Sequence, residues 1–90
     1  MLRLIVYDIA NPRRLAKVAR ICEDYGLRVE YSVFECNLNE ELFARFWKKL
    51  EAVVQPTEDR LIAYRICMSC AERIQSIGVV RPEKPLLYVV

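Results

Sequence analysis

Ninety residues make one domain, close to the lower limit of what buries a stable core unaided, and a 54% hydrophobic composition with only two glycines is rich for so short a chain. The net charge of +2 says little alone, but the absence of histidine removes imidazole general-base catalysis, serine triads and most zinc sites. No apolar run approaches the roughly 20 residues of a membrane span, and Arg3 and Asp8 interrupt the N-terminal run where a secretory signal would be unbroken.

Such a chain is expected to be cytoplasmic, with its four cysteines reduced. The apolar surplus implies that a partner, most simply a second copy, covers part of the surface.

Leu2 to Ile9 reads as a central strand. Its alternation puts Leu2, Leu4, Val6 and Asp8 on one face and Arg3, Ile5, Tyr7 and Ile9 on the other. Asn11 suits a helix cap and Pro12 its first position, since the N–H that proline lacks would be orphaned there anyway. The helix carries apolar residues at Leu15, Val18, Ala19, Cys22 and Tyr25, with Gly26 as its stop. Arg13, Lys17 and Arg20 recur at four and three residues, so they line a stripe away from the buried side, with Arg14 beside it.

Leu27 to Leu38 reads as one long strand, bent or bulged near Tyr31-Ser32, because twelve residues look too few for two strands and a turn. Asn37 or Asn39 caps a second helix that opens with Glu40 and Glu41. Phe43, Phe46, Trp47, Leu50, Val53 and Val54 form its apolar face, and Pro56 ends it. Arg60 to Ile66 is a third strand, Cys67 to Arg73 a turn or short helix, and Ile74 to Val80 a short strand. Arg81 to Pro85 is a stiff linker. Leu86 to Val90 is an apolar strand that must add to a sheet edge, in its own chain or in a partner's. The division is thus a domain over 1–80 and a linker with a terminal strand over 81–90. The element order fits an α+β ferredoxin-like sandwich, an antiparallel sheet with both helices on one face.

Chemistry must then rest on acids, tyrosines, cysteines and basic residues. Asp8, at a strand's carboxyl end, is either a magnesium ligand or an acid that caps the helix or pairs with Arg13 or Arg14. A two-fold axis beside that strand end would bring two copies of Asp8 together, and a metal there could polarise a phosphate. Arg13, Arg14, Lys17 and Arg20 form an acid-free stripe suited to phosphates, or else a solvated helix face. Tyr31, Phe34 and Tyr64 could stack on bases; Tyr64 fits better as core, and Phe34 is the more open. Cys67-Met68-Ser69-Cys70 is a lone CxxC, expected to be a structural turn with semi-buried thiols.

Three motifs together carry a resemblance: LIVYDI with Tyr7-Asp8, YGLRVEYSVFEC from Tyr25 to Cys36, and CMSC followed by Ile74 to Gly78. The chain resembles the CRISPR-associated endoribonuclease family, the small subunit of the spacer-acquisition machinery. That resemblance implies a ferredoxin-like homodimer whose C-terminal strand packs on the partner's sheet. It implies that two copies of Asp8 hold a divalent metal, usually Mg²⁺. It also implies cleavage of single-stranded RNA, or in some members double-stranded DNA. Other members act as a non-catalytic bridge between dimers of the CRISPR integrase subunit. Tyr7, Asp8, Arg28 and Phe34 match the family's functional positions. Its helix-start arginines fall at Arg13, Arg14 or Lys17, with Pro12 in place of the more usual polar residue.

Overall fold

The computed structural model describes residues 1–78. β1, Leu2–Asp8, alternates as its sequence requires: Arg3, Ile5 and Tyr7 are buried, while Asp8 is exposed at the strand's end. The Asn11 side chain accepts from the N–H groups of Arg13 and Arg14 at 2.9 and 3.1 Å, so α1, Pro12–Tyr25, starts where its cap dictates. Val18 and Cys22 are its buried residues, whereas Leu15 is exposed and lies off the buried stripe.

The segment read as one strand is two. β2, Leu27–Glu30, turns through Tyr31-Ser32 into β3, Val33–Asn37, and the two pair antiparallel with a register shift between Arg28 and Glu30. Twelve residues suffice because β2 is only four residues long and the turn only two.

Asn39 caps α2, Glu40–Glu51, accepting from the Leu42 N–H at 2.8 Å. The helix ends before Val53 and Val54, which pack on the core from the turn that follows. β4 spans Arg60–Ile66, and α3 is the short helix Met68–Ala71. Residues 74–78, expected to open a fourth hydrogen-bonded segment, hold no strand. The remainder of that segment, the linker 81–85 and the strand 86–90 lie outside the described residues.

The sheet order is β2-β3-β1-β4, with every pairing antiparallel, and the two long helices cover one face. This is the split βαββαβ arrangement of a ferredoxin-like fold. The core is Ile5, Tyr7, Ile9, Phe34 and Cys36 from the sheet against Val18, Cys22, Phe46 and Leu50 from the helices. Full burial of a Phe, Ile or Leu contributes roughly 1.5–3 kcal/mol.

Arg3 is buried with these residues. Its guanidinium donates to Glu40 at 2.8 and 3.0 Å and to the Leu38 carbonyl at 3.3 Å, and lies 3.9 Å from the Phe43 ring centroid. The charge is therefore paired, as a buried charge must be.

The opposite face of the sheet is apolar along β1 and β4, while Asn37 and Glu35 of β3 stand on it opposite Leu2 and Leu4. Cross-strand partners place Leu2 with Ile66, Leu4 with Tyr64, and Val6 with both Ile62 and Val33. No described residue closes over this face, and Tyr64, expected in the core, is 53% exposed on it.

Candidate functional site

β1 delivers Asp8 to one edge of the sheet. Residues directly opposite each other in an antiparallel pair share a face, so Arg60, the Cα partner of Asp8, stands beside it on the open face. The Asp8 carboxylate has no hydrogen bond or ion pair among the described residues, so it neither caps α1 nor pairs with Arg13 or Arg14. The Asn11 side chain caps the helix instead.

Three loops meet at this edge. The first is the β2–β3 turn. The Tyr7 N–H donates to the Ser32 carbonyl at 3.1 Å, and the Tyr7 hydroxyl to the Tyr31 carbonyl at 3.3 Å. The Arg28 guanidinium donates to that same Tyr31 carbonyl, lies 4.8 Å from the Phe34 ring centroid, and approaches Glu23 at 3.6 Å. Tyr7 and Phe34 stack with centroids 6.2 Å apart. Tyr7, Arg28 and Phe34 therefore form one packed unit on the helix side of the sheet, the face opposite Asp8.

Burial, helped by the nearby Cys22 thiol, raises the Tyr7 phenol above its ordinary pKa, with Arg28 opposing. Tyr7 thus keeps its proton at neutral pH. Phe34 is buried, which corrects its reading as an open base-stacking platform. The exposed aromatic at this edge is Tyr31, 89% accessible at the turn.

The second loop joins β1 to α1 and the third joins α2 to β4. Asp59 ties them together. Its carboxylate accepts from the Ala10 N–H at 2.9 Å, the Gln55 N–H at 2.8 Å, and Arg14 at 2.8 and 3.1 Å. Glu58 takes another Arg14 N–H at 2.9 Å. The Arg14 hydrogen bonds, first of all, hold the Asp59 carboxyl well below the usual carboxylate range, and the two backbone N–H groups add to the effect.

Of the four basic positions read from the sequence, Arg14 is thereby engaged. Arg13, Lys17 and Arg20 are exposed on α1, with no side-chain partner among the described residues. Arg60 also lines an open groove of about 450 Å³ with Trp47, Glu51, Val54, Pro56, Asp59 and Leu61.

Asp59 and Arg60 were missed in the sequence. Arg60 was accessible to it, because an antiparallel strand beginning there must oppose the end of β1. Asp59 was not, since its three anchors are 4, 45 and 49 residues away.

Among the described residues no group of three or more His, Cys, Asp or Glu side chains could hold a metal ion. Among the described residues the well-placed oxygen donor is the Asp8 carboxylate. That donor fits half of a shared Mg²⁺ site, because Mg²⁺ keeps most of its waters and uses one or two carboxylates.

A split βαββαβ sheet with an unpaired acid at the tip of its first strand defines the class: a small ferredoxin-like protein. The comparisons make the family specific. Residues 1–74 match the family model described as CRISPR associated protein Cas2, and the chain belongs to that family. It is 44% identical over 79 residues to "CRISPR-associated endoribonuclease Cas2 1" of Chloroflexus aurantiacus, covering 87% of this chain and 85% of that one. It is 40% identical over 81 residues to the protein of the same description from Moorella thermoacetica, covering 84% of each. In fold it is similar to the crystal structure of Streptococcus pyogenes Cas2, with a TM-score of 0.76 at 31% identity over 87% of this chain and all of that one. It is also similar to a hypothetical protein of Thermus thermophilus, with a TM-score of 0.78 at 31% identity over 91% and 96%.

Proposed function

We propose that this chain acts in the cytoplasm in CRISPR spacer acquisition, as a homodimer that binds nucleic acid across paired Asp8 edges and cleaves phosphodiester bonds in single-stranded RNA with Mg²⁺. The exposed, unpaired Asp8 carboxylate is the observation that carries this reading. The relatives named as endoribonucleases, and one from Halalkalibacterium halodurans named as an endonuclease, support it.

Joining two open sheet faces by a two-fold axis would bury Leu4, Val6, Ile62 and Tyr64 and bring two Asp8 side chains towards one centre. Bound there, Mg²⁺ would polarise the scissile phosphate and lower the pKa of water. Asp8 from each subunit would hold the ion. Arg60 lies beside the acid to neutralise a phosphate, and Arg13, Lys17 and Arg20 draw the strand along α1. Tyr31 offers a ring on which a base can stack. Tyr7, Arg28 and Phe34 keep the turn that carries Tyr31 in place.

Asp8→Asn tests the chemistry. Cleavage of RNA by the purified dimer falls about 100-fold or more, as expected from losing several kcal/mol of charge stabilisation, while RNA affinity stays. Equal cleavage by Asp8→Asn and wild type would move the activity elsewhere.

A second reading is favoured by the exposed α1 cations, which are independent of Asp8. In it the dimer is a non-catalytic scaffold that grips duplex DNA and bridges CRISPR integrase subunits. It requires duplex binding that survives Asp8→Asn and co-purification with the integrase subunit. Failure to co-purify counts against it.

A further inference from the structure

Cys67 and Cys70 play no part in that chemistry, and their surroundings differ from those expected of a structural turn. Both thiols are free and exposed. The Ala71 N–H donates to the Cys67 carbonyl at 2.8 Å, closing a helical turn that sets the two cysteines on one side of α3. The Cys67 sulfur shares a hydrogen bond with the Ser69 hydroxyl at 3.3 Å.

The Ser69 hydroxyl, first of all, brings Cys67 down to about 7, and the neighbouring Cys67 sulfur pushes Cys70 up. The other two cysteines contrast sharply. Burial pushes Cys22 up to about 12 and Cys36 up to about 11, so they keep their protons inside the core.

Two adjacent thiols are a complete redox couple but only half of a four-ligand soft-metal site. The chain has four cysteines and no histidine, and two of the four are in the core, so nothing among the described residues completes such a site.

We propose that Cys67 and Cys70 form a reversible dithiol–disulfide site that reacts with low-molecular-weight disulfides of the glutathione class. The Cys67 thiolate attacks one sulfur of the small disulfide, forming a mixed disulfide and expelling a thiolate that takes up a proton. The Cys70 thiol gives its proton to solvent and attacks the Cys67 sulfur, releasing the second small thiolate, which is protonated in turn. Two cysteine sulfurs are oxidised by two electrons in all, and one small disulfide becomes two thiols. The new bond spans the first turn of α3, immediately after Ile66 ends β4.

Full-length protein in glutathione redox buffers, read by intact mass and differential alkylation, tests this. Wild type loses two hydrogens and retains no glutathione. Cys70→Ser accumulates one glutathione on Cys67. Cys67→Ser reacts roughly tenfold more slowly at neutral pH, because little Cys70 is thiolate there. Four free thiols persisting in the most oxidising buffer would overturn the proposal, as would equal rates for the two variants. Zinc added alone and bound at one ion per two chains, with Cys67 and Cys70 protected from alkylation, would replace it by a shared metal site.

Discussion

Arg13 and Arg14 are neighbours in the chain with separate tasks. Arg14 bonds to Asp59 and Glu58, fixing the loop that follows Asp8, while Arg13 points to solvent. Replacing Arg13, Lys17 or Arg20 by Ala is expected to lower the slope of log affinity against log salt by about 0.9 each on duplex DNA, with little change in the unfolding midpoint. Arg14→Ala should do the reverse: a lower midpoint and an unchanged slope. Salt titrations beside thermal melts separate the two behaviours.

Asp59 adds a pH signature. Its folded pKa is depressed, so its contribution is full above the unfolded value of about 3.9 and fades as pH falls through the folded one. In urea unfolding, Asp59→Asn should be clearly less stable than wild type at pH 7, and the gap should narrow in acid. A gap of constant size would mean that the carboxylate's charge contributes nothing.

Among the elements, α1 shows how a helix end can be set by space rather than by backbone conformation. Gly26 follows α1 with φ −160°, an extended geometry that any residue adopts. A Cβ there would lie 2.3 Å from the Glu35 carbonyl oxygen and 3.1 Å from the Cys36 Cβ. Gly26→Ala should therefore destabilise by about 1–3 kcal/mol, the usual range for overpacking, measurable by denaturant unfolding. A neutral effect would show that β3 can shift to make room.

Elements with local signals were legible in the sequence: the Leu2–Ile9 alternation, the Asn11-Pro12 start, and the strand from Arg60 to Ile66. The β2–β3 hairpin was not. Its turn, Tyr31-Ser32, holds no Gly, Asn, Asp or Pro, and Ser32 is a weaker turn signal than these. It is held instead by Tyr7 and by Arg28, and Tyr7 lies 24 residues away. The place of Asp8 at the end of β1 was legible in the sequence. The roles of its neighbours depend on which face the helices cover, and that is settled by packing. This is why Phe34 proved buried and Tyr64 exposed.

For the molecule as a whole, the decisive feature is a sheet with apolar residues on both faces but covered by helices on one. The open face carries Leu2, Leu4, Val6, Val33, Ile62, Tyr64 and Ile66, and Asp8 with Arg60 stands at its end. A second copy meeting this face would account for the apolar surplus and would bring two Asp8 carboxylates towards each other. The apolar surplus and the resemblance both lead to this expectation; the registers of β1 with β3 and β4 show which residues such a contact would bury.

Co-refolding equal amounts of wild-type and Asp8→Asn chains, then measuring the RNA cleavage rate, addresses the shared site most directly. If both carboxylates are needed, only wild-type pairs are active, and random pairing leaves roughly a quarter of the rate of an all-wild-type sample at the same total concentration. A rate of one half, proportional to the wild-type chains present, would mean that each subunit acts alone and would contradict the account.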